Sequence, residues 1–443
     1  MSTAARDGII KAPAAGQGDL PAWLHYLERL HPSAIALGLD RVDAVRRNLG
    51  LVLECPVFTV GGTNGKGSVC ALLESVLRCA GYRVGCYTSP HLLRYNERVR
   101  IDSVEAADAA LVDAFERVEK ARGAISLTYF EFGTLAAALL FADSLLDAAV
   151  LEVGLGGRLD AVNVFAPDCA VITSIGIDHI DYLGDTREQI GLEKAGIFRT
   201  GRPAVVADPD PPATLIGHAK EVQAELFLID RDFGAQPQNG EWTYWSWVAR
   251  RRGLPRPNLR GNHQLGNAAA TLAALDCVRD RLPVDMGAIR RALVEVELPA
   301  RFQVLPGRPT VILDVAHNPH AAQRLLENLK LMDSRQQGGI GRTIAVFAML
   351  EDKDISGVAG IVAPCVDRWL IAPLPGLRGA TAEHIGSALA TAGVDGDAIH
   401  AHPTVGAAYL CAKELVGAND RIVVFGSFRT VSEVLRLPRR DIS

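Results

Sequence analysis

Apolar residues along the chain follow two recurring patterns. Short, nearly continuous apolar runs, such as residues 57–60, predict buried strands. The segments between them, such as the one that begins at Val69, place apolar residues three and four positions apart and predict helices. Because strands and helices alternate in this way over most of the chain, we expect an α/β fold with mostly parallel sheets.

A break in this alternation divides the chain of 443 residues, which is long for a single core. Residues 298–303 predict a domain junction, because a new series of strands and helices begins beyond them. We therefore expect a first domain over residues 20–297 and a smaller, Rossmann-like α/β domain over residues 298–443. Residues 1–19, rich in Ala and Gly, predict a flexible tail. Residues 21–51 predict helices that either form a lid or substrate wall or simply pack on the core.

A glycine-rich turn at residues 61–68, Gly-Gly-Thr-Asn-Gly-Lys-Gly-Ser, joins the first strand to a helix. This arrangement gathers backbone N–H groups and the positive end of a helix dipole around one point, which favours an anion. Lys66 within the turn indicates a polyphosphate, so the first domain is predicted to be a P-loop-type nucleotide-binding domain. The turn departs from the usual P-loop pattern, because Val60 replaces a glycine and Gly67 separates Lys66 from Ser68. A purely structural glycine turn is the alternative.

Polar residues follow three further predicted strands. Ser89, Glu152 and His179 each lie at or just beyond the carboxyl end of an apolar run. Ligands collect at that edge of an open α/β sheet, and a carboxylate within a buried strand is costly unless it is paired or bound to a metal. We therefore predict a shared Mg²⁺ site, with buried residues that satisfy their own hydrogen bonds as the alternative. By its pattern alone, Lys194 is expected to face solvent from its helix.

Composition excludes several other classes of protein. The formal net charge of −5 gives no general attraction for nucleic acid or for an acidic membrane. Residues 250–252 are three arginines that follow a tryptophan-rich stretch, but such a short run is more typical of an exposed hairpin edge than of a nucleic-acid site. No apolar run is long enough to span a membrane, and the N-terminus lacks the apolar core of a signal peptide.

The eight cysteines show no C-x-x-C spacing and several lie in apolar patterns, so we expect free thiols rather than metal ligands. This cysteine usage fits a cytoplasmic protein.

Several stretches together resemble one family, the bifunctional dihydrofolate synthase/folylpolyglutamate synthases of the Mur ligase superfamily. The resemblance covers nearly the whole chain and is carried by motifs in a fixed order. They are Gly-Thr-Asn-Gly-Lys-Gly-Ser at 62–68, Thr-Ser-Pro-His-Leu at 88–92, Leu-Thr-Tyr-Phe-Glu-Phe-Gly-Thr at 127–134, Leu-Glu-Val-Gly-Leu-Gly-Gly-Arg-Leu-Asp at 151–160, Asp-His at 178–179, Glu-Lys-Ala-Gly at 193–196, Leu-Asp-Val-Ala-His-Asn-Pro-His at 313–320 and Met-Leu-Glu-Asp-Lys-Asp at 349–354.

The resemblance implies a reaction in which ATP phosphorylates a pteroate or folate carboxylate and the amino group of L-glutamate attacks the resulting acyl phosphate. Its substrates would be dihydropteroate, folates, L-glutamate and ATP. We expect the protein to be a monomer. It further implies a nucleotide site formed by Asn64, Gly65, Lys66, Gly67, Ser68, Asn267, Arg301, Asp314 and His317. Ser89, Glu152 and His179 would hold Mg²⁺, and a carbamylated Lys194 would hold a second Mg²⁺, with Lys194, His179 and Glu152 as the catalytic residues. Thr128, Phe130 and Asp160 would bind the pterin.

Two departures from the family pattern stand near these residues. Ala300 replaces the glycine of a Pro-Gly-Arg motif, which reduces backbone freedom, and Val162 replaces a threonine near the pterin side. Three alternatives remain at this point. A peptidoglycan Mur ligase is disfavoured because the P-loop lies too close to the N-terminus for its extra domain. A folylpolyglutamate synthase without dihydropteroate activity is a closer alternative. A nucleotide-binding switch would not need a second metal or an amine site.

Overall fold

The computed structural model describes residues 12–13, 16, 18–33, 35–333, 341–376 and 378–438, and most of the predicted tail lies outside them. The described part of the chain forms two α/β units. The first unit is built on an eight-stranded sheet with the strand order β4-β3-β2-β5-β1-β6-β7-β8. These strands are β1 Val57–Gly61, β2 Val84–Tyr87, β3 Val99–Ile101, β4 Val104–Glu105, β5 Ala148–Glu152, β6 Cys169–Ile172, β7 Pro203–Val206 and β8 Glu225–Leu228.

Six strands that are neighbours in the sheet, β2, β5, β1, β6, β7 and β8, are parallel to one another. The short β3 and β4 add an antiparallel edge beside β2. Every residue of β1 is buried, as expected for a central strand that is covered on both faces. The helices of this unit are α1 Leu20–Leu30, α2 Asp40–Asn48, α3 Lys66–Cys79, α4 Asp108–Arg122, α5 Tyr129–Asp143, α6 Ile180–Leu183, α7 Arg187–Ala195 and α8 Ala213–Glu221.

Helix α1 packs on the core of the first unit. Trp23, Tyr26 and Leu27 are buried, and the Trp23 ring lies 6.0 Å from that of Phe115 and 6.5 Å from that of Phe132. Of the two interpretations for residues 21–51, the contacts of α1 are those of a packing helix. Large aromatic surfaces of this kind supply much of the burial energy of a domain core.

A three-stranded antiparallel sheet and two helices complete the first unit. The strands are β9 Phe233–Pro237, β10 Glu241–Ser246 and β11 Arg250–Pro255, and the helices are α9 His263–Cys277 and α10 Met286–Glu295. Helices α3 and α9 share one apolar core with these strands, through residues such as Leu72 and Ala270. The three arginines at 250–252 lie on β11, an edge strand as predicted, and Arg251 pairs there with buried Asp276 at 2.6 Å.

The second unit has a six-stranded sheet with the order β12-β13-β17-β14-β15-β16. Only the pairing of β12 with β13 is antiparallel. Its strands are β12 Gln303–Leu305, β13 Thr310–Leu313, β14 Thr343–Phe347, β15 Arg368–Ile371, β16 Ile399–Ala401 and β17 Arg421–Phe425. Its helices are α11 Pro319–Asp333, α12 Ile355–Val362, α13 Ala382–Thr391, α14 Val405–Leu415 and α15 Phe428–Leu435. The predicted α/β fold with a large, mostly parallel sheet and a second α/β unit is confirmed.

All eight cysteines are free thiols, as predicted. Within the described part of the chain, no helix combines the length and the apolar character that a membrane crossing requires.

Candidate active site

A cavity of about 900 Å³ lies between the two units. The carboxyl ends of β1, β5 and β6 form one wall, and the loop that follows β13 forms part of the opposite wall. Every residue predicted to bind nucleotide or metal lines this cavity. They are Asn64, Gly65, Lys66, Gly67, Ser68, Ser89, Glu152, His179, Lys194, Asn267, Arg301, Asp314 and His317.

The glycine-rich turn connects β1 to the N-terminus of α3. Gly65 has φ +91°, and a Cβ at this position would lie 2.8 Å from Oδ1 of Asn267, so the turn needs a residue without a side chain. Among the described residues, no side chain caps the first turn of α3, which leaves its N–H groups directed at the cavity. Lys66 donates hydrogen bonds from Nζ to the carbonyls of Gly62 (3.0 Å) and Thr63 (3.3 Å). The turn therefore presents amides and a cation to one anion position.

Ser89 and Glu152 are in contact at the ends of their strands, and His179 lines the same cavity. The backbone N–H of Ser89 donates to Oε2 of Glu152 at 3.1 Å. Burial raises the pKa of Glu152 and lowers the pKa of His179 to about 4, so this imidazole is neutral at physiological pH and keeps a lone pair for a ligand. His179 has a left-handed backbone, with φ 54°.

This donor set fits a metal that is shared with a nucleotide. In the described part of the chain, no three His, Cys, Asp or Glu side chains converge as a closed metal site. Mg²⁺ does not require such a site, because it keeps several waters and is usually held by one or two carboxylates together with substrate phosphates. Glu152 is buried with a backbone amide as its hydrogen-bond donor, so a cation beside it would offset the cost of burying its charge.

Lys194 is buried, with 4% of its surface exposed, and the expectation from its helix pattern that it faces solvent is wrong. Its Nζ donates to the carbonyl of Gly62 at 3.0 Å, next to the glycine-rich turn. Burial, together with the nearby positive charge of Lys66, lowers the pKa of Lys194 to about 7. A large fraction of this amine is therefore unprotonated, and nucleophilic, at neutral pH.

The second unit contributes an arginine to the same cavity. The Arg301 guanidinium lies 4.9 Å from the Phe428 ring centroid, and a Cβ at Gly67 of the glycine-rich turn would lie 3.9 Å from its Nη2. Asp314 is held by two backbone amides, those of Phe302 (2.8 Å) and Ala316 (2.7 Å). Ala300 has φ 60°, so the residue that replaces the family glycine adopts a left-handed backbone that costs an alanine roughly 1 kcal/mol.

Asp178 connects the two units, a role that the sequence did not indicate. Its Oδ1 accepts a hydrogen bond from Lys353 Nζ (2.5 Å), and its Oδ2 accepts one from Asn318 Nδ2 (2.9 Å). His317 Nε2 lies 3.5 Å from the same Oδ2. The motifs at 313–320 and 349–354 contain these partners, so the signal was present, but no pattern placed them beside Asp178.

The three residues predicted to bind pterin do not line the cavity but lie behind its wall. Thr128 caps α5, where its Oγ1 accepts from the Glu131 N–H at 3.2 Å. The Phe130 ring lies against Gly154, whose own surface faces the cavity. Asp160 is buried, and its carboxylate accepts hydrogen bonds from the N–H groups of Leu155 (2.8 Å) and Val162 (3.1 Å). Burial raises the pKa of Asp160 to about 7.

Comparison with known protein families agrees with this division into two units. The Mur ligase middle domain matches residues 60–275, and the Mur ligase glutamate ligase domain matches residues 300–428. The chain is 44% identical to the dihydrofolate synthase/folylpolyglutamate synthase of Escherichia coli (strain K12), an alignment that covers 97% of this chain and 98% of the relative.

Solved structures give the same result. The structure of E. coli FolC in complex with DHPP and ADP has a TM-score of 0.89 and 45% identity, and the match covers 96% of this chain and 98% of that one. A bifunctional folylpolyglutamate synthase/dihydrofolate synthase with Mn, AMPPNP and L-glutamate bound has a TM-score of 0.88 and 45% identity, with 96% and 99% covered. The chain therefore belongs to the Mur ligase family and, within it, to the dihydrofolate synthase/folylpolyglutamate synthases.

Proposed function

We propose that this protein is an ATP-dependent ligase that adds L-glutamate to dihydropteroate, giving dihydrofolate, and to reduced folates, giving folylpolyglutamates. The observation that carries this proposal is the convergence of three groups on one cavity. The glycine-rich turn with Lys66, the buried amine of Lys194 and the Arg301 guanidinium of the second unit all face the same space. A site that clamps phosphates from both sides suits transfer of a phosphoryl group within a closed cleft.

The nucleotide occupies the cleft between the units in this proposal. The N–H groups at the start of α3 and Lys66 hold its phosphates, with Asn64, Gly65, Gly67 and Ser68 completing the turn. Asn267, Arg301, Asp314 and His317 hold the remaining parts of the nucleotide from the facing wall. Arg301 stabilises negative charge that develops on the transferred phosphoryl group, because its guanidinium is half-buried in the cleft, where charges are less screened than in bulk water.

Ser89, Glu152 and His179 would hold a Mg²⁺ ion beside the bound nucleotide. Such an ion would neutralise charge on the phosphates during phosphoryl transfer. The role of the protein is to fix the positions of the three side chains that donate to the ion. Glu152 is set by the end of β5 and by the Ser89 amide, and His179 presents a neutral imidazole.

Lys194 is carbamylated in this proposal. Its neutral amine attacks CO₂, a C–N bond forms, one proton is released, and the side chain becomes an anion that would hold a second Mg²⁺. Support comes from the burial of the amine and from its pKa of about 7, since only the unprotonated form reacts.

The carboxylate of the pteroate or folate attacks the γ-phosphorus of ATP, and ADP leaves. The amino group of glutamate then attacks the acyl carbon, the C–O bond to phosphate breaks, and the amine proton is lost to solvent or a base.

Thr128, Phe130 and Asp160 shape the pterin side from behind the wall that Gly154 and Leu155 form. Movement of that wall would be needed for direct contact. The enzyme works as a cytoplasmic monomer and needs no nucleic acid or membrane.

Oxygen transfer tests the acyl phosphate directly. Dihydropteroate labelled with ¹⁸O in its carboxylate should pass one label to the released phosphate for each amide that forms. A nucleotide-binding switch that hydrolyses ATP with water would release unlabelled phosphate. A folylpolyglutamate synthase without the first activity would transfer the label only from a labelled folate.

A further inference from the structure

Asp178 is the residue through which the second unit contacts the loop that carries His179. Lys353 follows β14, Asn318 precedes α11, and both belong to the second unit, whereas Asp178 follows β6 of the first. The Asp178 and Lys353 side chains are 9% and 6% exposed, so their ion pair is shielded from solvent. A shielded pair is weakly screened, and separating its members leaves each charge in a poorly solvated place.

The same contacts reach both candidate ligand-binding elements. Oδ1 of Asp178, which pairs with Lys353, also accepts the backbone N–H of His179 at 2.9 Å. This bond supports the left-handed backbone of His179, a conformation that non-glycine residues rarely adopt. On the other side, Asn318 exchanges hydrogen bonds with Asn64 of the glycine-rich turn. Opening the cleft would therefore release His179 and the turn together.

We propose that Asp178 is a positioning residue that couples closure of the two units to the placement of His179 and of the glycine-rich turn. Lys353 and Asn318 are the partners through which closure acts. This inference rests on the proposed function for its role in turnover, but the coupling itself is a property of the chain. Asp178 lines the cavity, and in this inference it acts through His179 and Asn318 rather than on the reacting atoms.

Two readouts test the coupling in the full-length protein. The first is Mn²⁺ affinity in the presence of AMPPNP, measured by electron paramagnetic resonance. Removing a positive charge near a cation site should tighten cation binding by Coulomb's law alone. The positioning role predicts a change in the opposite direction for Lys353→Met, because its Mn²⁺ dissociation constant should rise at least about threefold. In Lys353→Arg, which keeps the charge, the dissociation constant should stay near the wild-type value.

The second readout is steady-state turnover. Asp178→Asn and Lys353→Met should each lower kcat by about 10- to 100-fold, since small misplacements of reacting groups are costly, with KM for the folate within about twofold. The double variant should be no slower than the slower single variant, because both changes break one coupling. The control is Asp420→Asn. Asp420 pairs with Arg342 and caps a turn at Gly417 at the far end of the second sheet, so its loss should lower thermal stability without changing Mn²⁺ affinity or kcat.

The outcomes separate this inference from the proposed function. Tighter or unchanged Mn²⁺ binding in Lys353→Met, or independent effects of the two substitutions on kcat, would overturn the positioning role. A wild-type protein without glutamate-dependent turnover would overturn the proposed function, and the Mn²⁺ measurement would still decide whether Asp178 couples closure to the site.

Discussion

Asn64 and Asn318 exchange two hydrogen bonds across the cleft between the units. Nδ2 of Asn64 donates to Oδ1 of Asn318 at 3.1 Å, and Nδ2 of Asn318 donates back to Oδ1 of Asn64 at 3.3 Å. One partner belongs to the glycine-rich turn and the other precedes α11 of the second unit. The second unit therefore stabilises the glycine-rich turn that is proposed to bind the phosphates. The site is complete only when both units are in place.

Lys194→Ala should lose most ligase activity, by about 10²- to 10³-fold, and still bind ATP with near wild-type affinity. The reason is that the substitution removes the proposed carbamate but leaves the glycine-rich turn and Lys66 unchanged. Glutamate-dependent phosphate release measures the first quantity, and titration with a fluorescent ATP analogue measures the second.

A small carboxylic acid such as formate or acetate should partly restore turnover to Lys194→Ala, because it can occupy the space of the missing carbamate. Full activity in the variant without any added acid would refute the role of the lysine.

Asp160→Ala should impair the use of dihydropteroate more than the elongation of folates, if Asp160 has a special role on the pterin side. The ratio of kcat/KM for the two substrates is the measurement. Asp168→Ala is a matched control, since Asp168 also accepts a backbone amide, that of Val57 at 2.9 Å, but lies at the opposite end of the sheet. Equal losses with both substrates would leave Asp160 with a structural role alone.

The raised pKa of Asp160 also predicts that the stability of the protein depends on pH. Its pKa rises from 3.8 in the unfolded chain to about 7 in the folded protein because the carboxyl is buried. Between these values the folded state binds one proton more than the unfolded state, so this group's contribution to stability falls as the pH rises from about 4 to about 7. The upper limit of that loss is roughly 4 kcal/mol.

Asp160→Asn removes this titration. The stability of the variant relative to the wild type should therefore increase between pH 4 and pH 7, as measured by urea unfolding at each pH. A constant difference across this range would contradict the raised pKa.

The buried ion pair of Glu74 and Arg100 supports the helix that carries the glycine-rich turn. Glu74 lies on α3 with its side chain 5% exposed, and Nη2 of Arg100 donates to its Oε2 at 2.7 Å. Glu74→Gln should destabilise the protein by about 3–5 kcal/mol, because it leaves the arginine charge without its counterion. Replacing both residues, as in Glu74→Leu with Arg100→Met, should recover most of that loss in urea unfolding. A loss below about 1 kcal/mol in the single variant would show that the pair is ordinary surface electrostatics.

The sequence predicted those parts of the site that depend on local order along the chain. Strand, glycine turn and helix are neighbours in sequence, and Ser89, Glu152 and His179 follow strands that a parallel sheet must bring to one edge. Each of these predictions needed only the periodicity of apolar residues and the topology of the fold.

Features that depend on packing between distant segments could not be predicted from the same patterns. Lys194 lies on an amphipathic helix, and only the position of that helix against the glycine-rich turn makes the lysine buried. Asp178 and Lys353 are 175 residues apart and meet because the two units close on each other. The left-handed backbone of His179 has no signature in residue type, because glycine adopts this conformation far more often than histidine. At Ala300 the only signal was the glycine that the family motif has at this position.

The most direct measurement is phosphate release from ATP in bicarbonate buffer with L-glutamate and either dihydropteroate or tetrahydrofolate. The proposed function predicts turnover with each acceptor, no turnover when glutamate is omitted, and one phosphate for each amide formed. Phosphate release that is independent of glutamate, or no release with either acceptor, would contradict the assignment of this cleft as a glutamate ligase site.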